Sequence, residues 1–325
     1  MKLLSKFAVM LVSGAALALG AAGASAQAFP NKPIRILVPF AAGGGTDVMT
    51  RLLAQKMTEG LGQPVIVDNK PGSDTIIAAE MLAKSPPDGY TLFMALDMAF
   101  TTNPFTYSTL PYDPVKDFAP VSLVGYTALL VVAKSALPVN NAKELVAYAR
   151  ANPGKLNYGS GAIIVQTVVE MVKQTHPGVN MVFIPFKGAA PTVQALMAGD
   201  IDVAIADFFS FLPPIRAGKI KAIGVTGTQR DPSLPDVPTM MEQGFTNVDM
   251  GNWWALYAPA KTPQAVIDRL NREVARSVAL PDYVEKVRGM AIAPMSSTPA
   301  ELAARQARDT AKLGPLIRAA GIKVQ

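Results

Sequence analysis

The chain has 325 residues, 50% of them hydrophobic, with one histidine, no cysteine and a formal net charge of +6. Without cysteine there is no disulfide framework, no lipid-attachment site and no thiolate metal site. The Lys and Arg residues are scattered, with no basic run interleaved with aromatics, so a nucleic-acid partner is excluded as an expectation.

The first residues place Lys2 and Lys6 ahead of an apolar run that ends in Ala24-Ser25-Ala26. This is the layout of a cleaved secretory signal peptide over 1–26, with an apolar core short for a span of about 20 residues. The expectation is an exported, periplasmic protein.

Beyond it, β-like and helix-like segments alternate. Residues 34–40 read as a buried strand and 46–60 as a helix with Val48, Met49, Leu52, Leu53 and Met57 on one face. A strand at 65–68, a helix at 76–84 and a strand at 91–95 complete a βαβαβ order, which implies a parallel sheet with helices on both faces. A long apolar, β-branched run follows at 121–133. A helix at 142–151 has Asn141 as N-cap and Glu144 three residues on. Strands follow at 156–158, 181–186, 201–206 and 220–226, with helices at 162–174 and 191–198 between them. A return strand at 253–258 precedes a helical tail, whose last helix opens with the capping box Thr298-Pro299-Ala300-Glu301.

The fold class expected is α/β with two lobes, each a mainly parallel sheet flanked by helices. The chain crosses between lobes at 121–133 and 253–258. Residues 27–126 and 253–325 then form a discontinuous first lobe, residues 127–252 the second, and a ligand cleft lies between them.

The stretch VPFAAGGGTD joins the first strand to the first helix, which is where α/β sheets bind ligands. The first amides of a helix lack internal partners and carry partial positive charge, so they suit a carboxylate. Gly43, Gly44 and Gly45 let an anion approach, while Thr46 and Asp47 are placed to cap the helix. A second strand-to-helix loop, Tyr158-Gly159-Ser160-Gly161, repeats the device. One such terminus per lobe is a clamp for a small anion.

The rival reading of the glycine loop is a dinucleotide site with Asp68 on the ribose, but Val48 stands where its third glycine belongs. Hydrolytic chemistry would need His176 beside Ser160, whose YGSGA context lacks a nucleophile elbow. Asp200, Asp202 and Asp207 alternate along one strand, with only Asp207 at its cleft-facing end. No catalytic residue, metal or cofactor is expected.

The stretches FPNKPIRILVPFAAGGGTD, DNKPG, PPDGYTL, NPFTYSTLPYDPVKDFAPVSLV, NPGKLNYGS, PFKGAAP and LPDVPTMMEQG occur in this order. Together they resemble the Bug/TctC family, periplasmic receptors of tripartite tricarboxylate transporters. The resemblance implies a periplasmic-binding-protein fold of type II, a Venus flytrap that closes on a small carboxylate and delivers it to membrane permease subunits, as a monomer. It places Phe40, Ala42, Gly44, Gly45, Thr46 and Asp47, then Tyr158, Gly159, Ser160, Gly161 and Ile163, around the carboxylate. Lys187, Gly188 and Asp207 border the cleft.

Two departures bear on the ligand. The chain has PGSDTIIAAE where the family commonly shows PGAGGNIGAE, and GAIIVQ where a Gly/Ser/Thr-rich turn is common. Ile76, Ile163 and Ile164 are therefore expected to line a less polar pocket, suited to a carboxylate with an apolar or aromatic body. A sensor client in place of a permease, or an exported nucleotide-dependent enzyme, are the alternatives.

Overall fold

In the computed structural model the described residues are 29–160, 163–186, 188–246 and 248–323, with the side chains of residues 163 and 164 outside the description. The expected cleavage site at 24–26 lies outside the described residues, as do Gly161 and Lys187.

The first sheet has six strands. Strands β1 (Ile34–Val38), β2 (Val65–Asn69) and β3 (Thr91–Leu96) come from the N-terminal part, and β4 (Phe118–Ala128) leads out of it. The second sheet holds β5 (Leu130–Lys134), β6 (Leu156–Ser160), β7 (Met181–Pro185), β8 (Val203–Ala206) and β9 (Ile220–Val225). The chain then returns to the first sheet through β10 (Gly251–Pro259) and β11 (Ala293–Pro294). The orders are β11-β4-β10-β3-β1-β2 and β7-β6-β8-β5-β9.

Both sheets are mixed, with most strands of each running parallel, as expected, and a minority running against them. In the first, β1 pairs parallel with β2 and β3, while β10 runs antiparallel to β3 and β4. In the second, β6 pairs parallel with β7 and β8, while β5 runs antiparallel to β8 and β9. The antiparallel members are the strands that carry the chain between sheets. A strand entering from the opposite end of a sheet has to run against those built by βαβ crossovers.

The run at 121–133 falls in two strands, breaking at Leu129. Continuous β-branched apolar sequence reports burial on both faces and not which sheet supplies the partners. Thr226 fixes the break. Its hydroxyl accepts from the Leu129 amide at 2.9 Å and donates to the Met250 carbonyl, and its backbone bonds to both residues as well. One buried threonine thus ties the outgoing crossing to the returning one.

The helices are α1 (Gly45–Leu61), α2 (Ile76–Ala83), the short α3 (Met98–Thr101) and α4 (Asn103–Thr106), α5 (Ala142–Ala151), α6 (Ile163–Thr175), α7 (Ala189–Ala198), α8 (Phe208–Arg216), α9 (Gln264–Val278), α10 (Pro281–Gly289) and α11 (Pro299–Ala319). Ile34, Ile36 and Val38 pack with Met49, Leu53 and Met57 of α1 on one face of the first sheet, and Leu37 faces the other. Val48, expected on the packed face of α1, is 40% exposed. Asn141 caps α5 through the Glu144 amide, and the Thr298/Glu301 capping box closes both of its bonds, as the sequence pattern requires.

Helix α8 escapes the sequence pattern because Pro213 and Pro214 read as a stop, yet both lie inside it. The C-terminal helix also departs from the expected first-lobe assignment of 253–325. Leu302 packs in the core of the first sheet, whereas Leu313, Leu316, Ile317 and Ile322 pack in that of the second. Its amphipathic stripe is long enough to serve both bodies.

Candidate functional site

The C-terminal ends of β1, β2 and β3 lie at one edge of the first sheet, and those of the parallel strands β6, β7 and β8 at one edge of the second. The described candidate residues named from the sequence lie within β6, in the loops that follow these strands, or in the first turn of the next helix.

After β1, Gly43 turns the chain with φ of 86° and Gly44 is the N-cap of α1, with no side chain capping the helix. Val48 is the first residue to donate within the helix, to Gly44, so the amides of residues 45–47 have no helical acceptor. Ala42, Gly43 and Gly44 are exposed, and Phe40 and Gly45 half-buried. The expected caps do something else. The Thr46 hydroxyl accepts from the Trp254 indole at 2.8 Å, across to β10.

Asp47, 2% exposed, accepts from the Gly43 amide at 2.8 Å, from Arg51 at 2.9 Å and from the Asn69 amide nitrogen at 2.8 Å. Asn69 also donates to the Phe40 carbonyl at 3.0 Å. Burial pushes the Asp47 carboxyl up, but the hydrogen bonds from Arg51, Gly43 and Asn69 and the Arg51 charge together hold it below the usual value. Both side chains therefore brace the loop from behind and leave the front of the helix terminus uncovered. The one acid beside that terminus has its charge balanced by Arg51 at 2.9 Å. Arg51 and Asn69 were not among the residues named from sequence. The i, i+4 pairing of Asp47 with Arg51 was legible there, but Asn69 joins only through the β1–β2 register.

On the second sheet, Ser160, Gly188 and Asp207 line one cavity of about 140 Å³, joined by Thr192 and by Asn252 of β10. Gly188 is the N-cap of α7 with φ of 102°, and its carbonyl accepts the Thr192 hydroxyl at 2.8 Å. Asp207 is the N-cap of α8, accepting from the Ser210 amide at 2.8 Å. Asn252 was not foreseen, since it precedes the apolar WWALY run and reads as its polar border. It is the first-sheet contribution to this wall.

Two named residues are placed elsewhere. Tyr158 is buried in the core against Phe183, ring centroids 5.2 Å apart, and burial pushes its hydroxyl up to about 12. Gly159 is packed so closely that a Cβ would lie 2.6 Å from Ile201 and 2.7 Å from Phe186. Both support the loop from within. Gly161, Lys187 and the Ile163 and Ile164 side chains lie outside the described residues. Ile76, expected in the pocket wall, is 8% exposed and packs in the core with Leu37 and Phe93. The substitution it represents fills the sheet–helix interface rather than a pocket.

Residues named for the rival readings are engaged in other contacts. Asp68 is engaged by Arg35 at 3.5 Å and Lys70 at 3.0 Å rather than presented to a ribose. His176 bonds the neighbouring Thr175 hydroxyl and stacks on Phe245 at 4.6 Å. Asp202 binds the Asn157 amide and Lys134, which stabilises the start of β8. Among the described residues no three His, Cys, Asp or Glu side chains are grouped to hold a metal ion, and no helix is long and apolar enough to cross a membrane.

Comparison with known proteins agrees with this architecture. The family model described as the tripartite tricarboxylate transporter family receptor matches residues 49–322. The chain is 32% identical to the protein BugT of Bordetella pertussis, over 94% of this chain and 94% of that one. Among solved structures, Rpa4515 of R. palustris with adipate has a TM-score of 0.78 at 31% identity, covering 91% of this chain and 99% of that one. The periplasmic binding protein BugD has a TM-score of 0.74 at 32% identity, covering 91% and 100%. With the match spanning nearly all of the described chain, the protein belongs to the TctC family of solute-binding receptors.

Proposed function

We propose that this protein is a periplasmic receptor that closes its lobes, as a monomer, on a small carboxylate with an apolar body. It then passes the ligand to the membrane subunits of a tripartite tricarboxylate transporter. The observation that carries the reading is the uncapped N-terminus of α1. Three amides have no helical acceptor behind an exposed glycine turn, and the adjacent Asp47 is already neutralised.

Across the cleft, the cavity at Ser160 and Asn252 is walled on its other sides by Leu129, Val165, Ile205 and Phe211, which suit a hydrocarbon body. This support replaces that of Ile76. That Rpa4515 of R. palustris, 31% identical to this chain, has been solved with adipate, two carboxylates on four methylenes, fits the same chemistry.

The energies are consistent. Micromolar affinity requires about −8 kcal/mol. A helix terminus contributes about 0.3–1 kcal/mol when exposed and up to about 2 when partly buried. Hydrogen bonds to a charged group contribute about 1.5–3 kcal/mol each, and burying four methylenes contributes about 3 kcal/mol. Only a closed cleft, which excludes water from the carboxylate, reaches the total. The ligand thus shifts the open–closed equilibrium by its preference for the closed form.

The test is mass spectrometry of small molecules released from the purified protein, followed by calorimetry with adipate, benzoate and malate. Release of an intact carboxylic acid, or micromolar binding of adipate or benzoate, supports the reading. Release of a nucleotide, or chemical alteration of an added acid, overturns it.

A further inference from the structure

Away from the cleft, a groove of about 400 Å³ runs along α11. Its floor is aromatic, formed by the buried Phe100, Phe118 and Tyr257 with the half-buried Phe105 beside them. One wall is the solvent face of α11, where Ala303, Ala307, Ala311 and Pro315 are all exposed. A helix facing water at these positions ordinarily carries polar side chains. Gly314 lets the Phe105 ring lie against the helix, since a Cβ there would approach it to 2.5 Å.

The polar groups of the walls are already used. Gln306 accepts from the Tyr257 hydroxyl at 2.8 Å and donates to the Pro114 carbonyl at 2.9 Å, and the Thr310 hydroxyl donates to the Phe100 carbonyl. Arg318, at the end of the groove, is different. Its guanidinium lies 5.1 Å from the Phe105 ring centroid, and no carboxylate among the described residues pairs with it.

We infer that this groove is a second ligand site, for a single unbranched acyl chain whose terminal carboxylate meets Arg318. The dimensions argue for one chain. From Ala303 to Arg318 the helix rises about 22 Å, so the groove's 400 Å³ is drawn out along the helix rather than gathered in one deep pocket. A partner helix, about 10–12 Å across with its side chains, does not fit. An extended peptide fits in width, but its amides and carbonyls would find no partner in walls whose polar groups are spent. A hydrocarbon chain needs none, and only its charged end requires the one cation the groove offers. The site does not depend on what the cleft binds.

The experiment is calorimetric titration of the full protein with monomeric palmitate. Hexadecanol serves as the uncharged chain, phosphatidylcholine vesicles as the lipid surface and adipate as the cleft probe. Palmitate is expected to bind with one site per chain and not to be displaced by adipate. Ala307→Trp, which fills the groove from an exposed position, should weaken palmitate at least about tenfold. Ala311→Phe should do the same, so the readout does not rest on one variant's folding. Arg318→Gln should weaken palmitate about fivefold to tenfold and leave hexadecanol unchanged.

Absence of palmitate binding, equal affinity in Ala307→Trp and wild type, displacement by adipate, or binding only to vesicles would each overturn the proposal. So would a dimer, seen by sedimentation, that Ala307→Trp dissolves while palmitate fails to bind. If no carboxylic acid is released and neither adipate nor benzoate binds while the palmitate results stand, the cleft reading falls and this one is supported.

Discussion

Asp47→Asn is the substitution that most directly probes how the glycine loop is held. It keeps the volume of the side chain and removes its charge. In the wild type, three donors converge on the Asp47 carboxylate, from Gly43, Arg51 and Asn69. An asparagine retains one acceptor oxygen and turns an NH₂ toward one of these donors. The lost pairing with Arg51, whose own side chain is 51% exposed, contributes about 1 kcal/mol after solvent screening. The donor left unpaired inside the loop contributes about 1–3 kcal/mol more. Urea unfolding at pH 7 should therefore show a loss of about 2–4 kcal/mol.

The pH dependence has a definite sign. The folded carboxyl is held below its ordinary value, so its stabilisation is present above the unfolded pKa and is lost as pH falls through the folded one. Wild-type and variant stabilities should converge in acid below the ordinary aspartate range. Calorimetry on the same samples should show weaker adipate binding, because the Gly43 turn loses its strut. A stability loss under about 0.5 kcal/mol at pH 7, with unchanged adipate affinity, would refute the bracing role.

Other sites give equally direct expectations. Thr226→Val keeps the shape of the buried side chain but strands the Leu129 amide, at about 1–3 kcal/mol in urea unfolding, while the Met250 carbonyl keeps a bond from the Tyr126 hydroxyl at 3.4 Å. Gly159→Ala drives a Cβ against Ile201 and Phe186, so thermal unfolding should register about 1–3 kcal/mol of overpacking. Asp207→Ala removes the α8 cap and should lower stability by about 0.5–2 kcal/mol, whereas Asp207→Asn, which still caps, should be near neutral. Burial, with the Asp309 charge, pushes the Asp97 carboxyl up to about 7, and its Oδ1 has no partner. The native state then binds the extra proton, so stability falls as pH rises from the unfolded value toward 7. Asp97→Asn, which mimics the protonated acid, should flatten that decline in unfolding curves taken between pH 4 and pH 8.

The local elements were legible because each is set by residues near one another in sequence. Apolar periodicity marked α1 and β1, and the side-chain oxygens of Asn141 and Thr298 marked helix starts, since capping is a contact across three residues. The glycine turn before α1 followed from the same short-range chemistry, although the caps expected from Thr46 and Asp47 did not form, and the ordered motifs along the chain identified the family. What sequence could not decide was long-range. Whether Ile76 faces a pocket or a core depends on which side of the turn the sheet lies. Whether 121–133 is one strand or two depends on Thr226, about a hundred residues on. The second-lobe cavity needed Asn252 from the returning strand, and the grooved face of α11 arises only because one helix packs into two cores. Burial pattern specifies that a residue is covered, but the partner that covers it is chosen by tertiary packing.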